Sequence, residues 1–121
     1  MTVKRRKKPY DIHERVFEFS LRVLEISKMI PNSDTSDVIR NQFVRSGTSI
    51  GANLEESDGV ITKKDFINKI VLARKEAKET RYWLRLFKET YLNKHQIDDV
   101  IEEINEILKI LSAIINNTKN K

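Results

Sequence analysis

The sequence predicts an all-α protein, an antiparallel up-down-up-down four-helix bundle. Three observations lead there. Apolar residues recur in a four-three alternation along four separate stretches, which is the seam of a packed helix rather than a strand. The stretches are joined by short polar connectors rich in residues that cap helices. Helix breakers are scarce: 121 residues hold only three glycines and two prolines, Pro9 and Pro31, and both prolines fall outside the predicted helix interiors.

The first helix, over about 11–30, opens where Asp11 and Glu14 have capping-box spacing. Its stripe is Ile12, Val16, Phe19, Val23, Ile26 and Ile30, with Phe17 and Leu24 widening the face toward a second neighbour. Pro31 ends it, because the residue before a proline is driven out of helical geometry. The connector PNSDTSD offers Thr35 or Ser36 as N-cap of the second helix, over about 36–56. That helix carries Ile39, Phe43, Ile50 and Leu54 inward. Between them the seam narrows at Ser46, Gly47 and Gly51, small residues that let a neighbouring backbone approach, from this chain or from a second subunit.

A turn over 57–61 contains Gly59, suited to a positive φ. Thr62 and Asp65 then open the third helix, over about 63–92, whose seam is Phe66, Ile70, Ala73, Ala77, Leu84, Phe87 and Tyr91, with Thr80 at one polar position. Asn93 and Gln96 have capping-box spacing before the fourth helix, over about 95–116. Its stripe is Ile97, Ile101, Ile104, Leu108, Leu111 and Ile115, broadened by Val100, Ile107 and Ile114. Residues 118–121 form a polar tail, so the bundle occupies 11–117.

Charge is distributed unevenly. The net +5 rests on 23 basic and 18 acidic residues, and five of the basic ones, Lys4, Arg5, Arg6, Lys7 and Lys8, crowd the basic tail over 1–10. Without them the rest of the chain balances at 18 of each sign. The tail reads either as a phosphate-touching arm or as a solvated end. On the third helix Arg74, Lys78, Arg81, Arg85 and Lys88 are spaced four, three, four, three, one stripe roughly 90° from the core seam at about 100° per residue. Five cations over about four turns fit a phosphate backbone; the competing reading is a solvated face offset by Glu76, Glu79 and Glu89.

Catalytic chemistry finds little footing. Cysteine is absent, and no serine sits in a glycine-flanked elbow. His13 and His95 begin the first and fourth helices, at opposite ends of an antiparallel bundle, and neither has a glutamate three residues before it for a di-iron site. The acidic Glu55–Glu56–Asp58 group closes the second helix, where the helix dipole disfavours negative charge, and Lys63 and Lys64 across the turn are the expected compensation. No metal and no cofactor are predicted, and the protein is predicted not to be an enzyme. With neither a signal peptide nor an apolar run near the roughly 20 residues of a membrane span, a cytoplasmic protein without membrane contact is expected. Leu72, Trp83 and Leu86 project away from the third helix's seam and, with Gly47 and Gly51, are the candidate subunit interface.

The run QxxRSGTSIGANLEE from Gln42, then KKDFINK and KEAKETRYWL, resembles the bacterial four-helix bundle proteins encoded by intervening sequences of 23S rRNA genes. The resemblance extends over about 16–111 and is strongest over 42–86. It implies a homopentamer, and marks Gln42, Arg45, Asn53 and Glu56 as family-motif residues of structural or functional use. Many relatives place glycine after that glutamate, where this chain has Ser57, which implies a different turn. More distant relatives, accessory subunits of diversity-generating retroelements, are basic pentamers that bind a reverse transcriptase and nucleic acid. The leading expectation is therefore a non-catalytic homo-oligomer binding RNA, DNA or a ribonucleoprotein through its basic surfaces. The alternative is a protein–protein scaffold without nucleic-acid binding. An enzymatic reading rests only on Arg45, Asn53 and Glu56 sharing one helix face.

Overall fold

The computed structural model describes residues 11–121, and the predicted basic tail, Lys4 to Lys8, lies outside the described residues. Four helices follow in order: α1 Ile12–Met29, α2 Asp34–Ser57, α3 Lys63–Thr90 and α4 Lys94–Lys119. Each packs on its sequence neighbours and α4 returns to α1, which gives the up-down-up-down bundle.

Local hydrogen bonds set most helix starts where the sequence puts them. Asp11 Oδ1 accepts from the Glu14 N–H at 3.2 Å. The Thr62 side chain accepts from the Asp65 N–H, and Asn93 and Gln96 form a full capping box. The second helix departs from expectation, since its N-cap is Ser33, not Thr35 or Ser36. Ser33 is extended and accepts from the Ser36 N–H, whereas the Ser36 hydroxyl donates to the Pro31 carbonyl at 2.5 Å. The chain thus reverses within three residues of the proline, and Ser36 ties the first turn of α2 back to the end of α1. Arg40 reinforces this corner by donating to the carbonyls of Ser27, Ile30 and Pro31.

The α2–α3 turn also differs from expectation. No described residue has a positive φ, Gly59 included. The Asp58 and Gly59 N–H groups donate to Glu55 and Glu56, continuing the right-handed sense of the helix. Ser57, where the resemblance implied a different turn, is buried and donates its hydroxyl to the Leu54 carbonyl at 2.6 Å. At the far end α4 runs to Lys119, beyond the expected 116. Ile115 is buried there and the Lys63 Nζ donates to the Lys121 carbonyl.

The core fills the space between all four stripes, with Phe19, Phe43, Phe87, Ile50, Ile104 and Leu111 among its largest buried side chains. Phe43 and Phe87 meet edge to face at 5.1 Å, a geometry that aligns ring edge and ring face favourably. Thr80, the polar break in the α3 seam, donates to the Ser46 hydroxyl at 2.9 Å across the α2–α3 contact, so neither buried oxygen is left unpaired. The narrow part of α2 serves α1 of the same chain. A Cβ on Gly47 would lie 2.7 and 2.8 Å from the two γ-carbons of Val23. Phe17 and Leu24, expected to widen the apolar face toward a second neighbour, remain 59% and 43% exposed in this chain.

Candidate nucleic-acid interface

The cationic stripe of α3 lies along its seam with α4, and its five members divide into two sets. Arg74 reaches the Ser112 hydroxyl at 3.4 Å, Arg81 donates to Asn105 Oδ1 at 3.0 Å, and Lys88 pairs with Asp98 at 2.8 Å. These three hold α4 in register with α3. Lys78 and Arg85 alternate with them, are exposed, and make no hydrogen bond or ion pair among the described residues. The seam therefore presents two exposed, unengaged cations framed by three anchored ones, of which only Lys88 is matched by an opposite charge. A shallow cavity of about 610 Å³, lined by Arg81, Asn105, Lys109 and Ser112, lies along it. Another of about 340 Å³ lies toward the α3 C-terminus, bounded by Tyr82, Arg85, Leu86, Lys88, Glu89 and Ile101.

The family-motif residues face another neighbour. Arg45 donates to Glu76 at 2.9 Å, to Glu79, and to Gln42 Oε1 at 3.1 Å. Trp83 donates its indole N–H to the same Glu79 carboxylate at 3.1 Å. Its bond to Glu79, then its bond to Glu76, raises the Arg45 pKa above the ordinary guanidinium value. Burial pushes the Glu79 carboxyl up, but hydrogen bonds from Trp83 and Arg45 and the Arg45 charge outweigh it and hold it below the usual carboxylate range. Asn53 donates to the Ser49 carbonyl, and Glu56 pairs with Lys69 at 2.6 Å. Arg45, Asn53 and Glu56 thus each engage a different neighbour and do not converge on one point. The arrangement fastens α2 to α3.

The remaining candidates separate in space. Gly47 is spent on Val23, and Gly51 faces Val16 and Ser20 at ordinary contact distance, so both serve the α1–α2 contact. Leu72 is 42% exposed. Trp83 is half-buried in the Arg45–Glu79 network, about 16 Å along the helix from Leu72, and the ion-paired Glu76 and Glu79 interrupt the stripe between them. Leu86 belongs to the α3–α4 cavity. The acidic end of α2 is compensated by Lys69 on Glu56 rather than by Lys63 and Lys64, and the His13 imidazole lies 3.7 Å from Asp58.

Two features lay outside the sequence reading. Arg15 grips Glu103 with two hydrogen bonds, at 2.6 and 3.0 Å, and with Arg22–Asp99 closes α1 on α4. The Glu103 hydrogen bond raises the Arg15 pKa against the opposing effect of burial. Tyr82 stands 55% exposed beside Arg85. Among the described residues no helix is long and apolar enough to cross a membrane, and no group of three potential ligands is placed to hold a metal.

The family described as 23S rRNA-intervening sequence protein matches residues 8–113. Among curated proteins none matches. The fold is similar to a crystal structure of a protein of unknown function, from the S23 ribosomal protein family of Bacteroides thetaiotaomicron. The two are 38% identical with a TM-score of 0.80, over 86% of this chain and 97% of that one.

Proposed function

Since the chain belongs to the family of 23S rRNA-intervening sequence proteins, we propose that it is a non-catalytic homo-oligomer that binds nucleic acid, or a ribonucleoprotein, through the α3–α4 seam. One observation carries this. Lys78 and Arg85 stand exposed without partners among the described residues, while Arg74, Arg81 and Lys88 are fixed on α4. Anchoring holds Arg74 and Arg81 in place and Asp98 offsets Lys88, whereas the two exposed cations spaced along the seam are able to move onto a strand and release its counterions. Lys4–Lys8 act as a second arm, and the resemblance to ring-forming relatives supports a cytoplasmic pentamer that repeats the seam five times. Since the chain beyond residue 8 is balanced in sign, binding depends on local fields and on repetition. Against catalysis, His13 and His95 start helices at opposite ends, and Arg45, Asn53 and Glu56 are each engaged separately.

The test is light scattering for the assembled mass, then fluorescence anisotropy with short RNA and DNA strands at 50 and 200 mM salt. Binding that weakens steeply between the two supports the proposal; an assembled oligomer that binds neither strand refutes it. A second reading, a protein–protein scaffold, is favoured by the exposed Phe17 and Leu24 on α1. An apolar surface of that kind predicts association that changes little with salt.

A further inference from the structure

Resting on that reading, we infer that the cavity at the C-terminal end of the α3–α4 seam receives an unstacked nucleobase, and so that the preferred ligand is single-stranded. Tyr82 borders this cavity. Its ring is 55% exposed, meets the Trp83 ring edge to face at 5.3 Å, and its hydroxyl has no partner among the described residues. An exposed aromatic ring held by a second ring is a stacking platform, and every base has a π-face to offer it.

Arg85, one turn on from Tyr82, lines the same cavity and has no partner among the described residues, so its guanidinium is available both to a flanking phosphate and to the π-system of the base. Lys88, although paired with Asp98, keeps a positive charge at the rim. Leu86 and Ile101, both half-buried, provide the apolar lining. Glu89 lies on the rim as an acceptor, which disfavours a phosphate at that edge and leaves the phosphate side to Arg85. The volume, about 340 Å³, is at the small end of the roughly 300–1,000 Å³ of ligand sites. A duplex keeps its bases stacked and presents only phosphates to such a surface. A single strand can turn one base into the cavity while its backbone follows Lys78 and Arg85.

Three strands of equal length separate the possibilities: a single-stranded RNA, its duplex, and the single strand with abasic positions. With the full chain, the single strand is expected to bind at least fivefold more tightly than the other two at matched salt. Tyr82→Ala weakens single-strand binding by about 5- to 100-fold, the range expected for losing one stacked base. It leaves abasic binding and the salt slope unchanged, and Tyr82→Phe binds like the wild type. Tyr82 is exposed, and circular dichroism and light scattering confirm that the variants fold and assemble. If the three strands bind equally and Tyr82→Ala has no effect, the base pocket is refuted while the cationic seam stands. If no strand binds at all, both fall.

Discussion

Gly47 and Gly51 provide a sharp test of how closely α1 and α2 approach, because the same substitution should act in opposite directions at positions one turn apart. Replacing glycine by alanine inside a helix gains about 1 kcal/mol of propensity. At Gly51 the new methyl would meet Val16 Cγ1 at 3.4 Å and Ser20 Oγ at 3.6 Å, ordinary contact distances, so Gly51→Ala should stabilise by about 0.5–1 kcal/mol. At Gly47 it would lie 2.7 and 2.8 Å from both γ-carbons of Val23 and 3.3 Å from its Cβ. A β-branched valine on a helix has essentially one χ1 rotamer and cannot swing away. Forcing a methyl into such a contact costs about 1–3 kcal/mol. Propensity cancels when the two variants are compared, leaving Gly47→Ala less stable than Gly51→Ala by about 1–3 kcal/mol. At roughly 4 °C per kcal/mol for a chain of this size, the melting temperatures should differ by about 4–12 °C. Urea unfolding at one fixed protein concentration gives the free energies directly, with m unchanged. In the Val23→Ala background the penalty at Gly47 should largely vanish. Equal stabilisation by both alanines would refute the close approach.

Other expectations follow from the ion-pair geometry. The Arg15–Glu103 pair is mostly shielded, with side chains 12% and 15% exposed, so Arg15→Met should destabilise by about 1–3 kcal/mol. A double-mutant cycle with Glu103→Gln should show coupling of about 1 kcal/mol, and additive effects would mean that the two side chains act independently. Glu79 has a depressed folded-state pKa. Its stabilisation is therefore fully present above the unfolded-state value, about 4.3, and is lost as pH falls through the lower folded value. Glu79→Gln should lose about 0.5–1 kcal/mol at pH 7, and its gap to the wild type should narrow as pH falls below the unfolded-state value and through the lower folded one. A gap that stays constant in acid would contradict the Arg45–Glu79 assignment.

The architecture was legible in the sequence because four stripes keep one period and because three of the helix starts, at Asp11, Thr62 and Asn93, are sealed by hydrogen bonds within three residues. Ser33 was missed for the converse reason. Three hydroxyl residues compete in that connector, and the choice depends on the Ser36 bond back to the carbonyl of Pro31 in the connector, which periodicity and capping preference do not specify. Thr80 was visible only as a polar interruption until α2 brought Ser46 opposite it. The basic stripe of α3 was legible as a stripe, but its partition was not. Which cations are anchored depends on the register of α4, which places Ser112, Asn105 and Asp98 against Arg74, Arg81 and Lys88. The 88-residue separation of Arg15 and Glu103 leaves no local pattern to find. Small residues at Gly47 signalled a close approach without naming the partner, and Val23 of the same chain is that partner.

The central claim is that Lys78 and Arg85 are the phosphate-binding cations of the α3–α4 seam. The measurement that bears on it most directly is the slope of log K against log salt for a single-stranded RNA, compared between the wild type and Lys78→Gln/Arg85→Gln. Each phosphate contact contributes about 0.7 to that slope, so the double variant should bind more weakly with a slope shallower by about 1.4. Lys64→Gln/Lys119→Gln, which removes exposed lysines at the other end of α3, should leave the slope unchanged. A double variant whose slope and affinity match the wild type would contradict the claim.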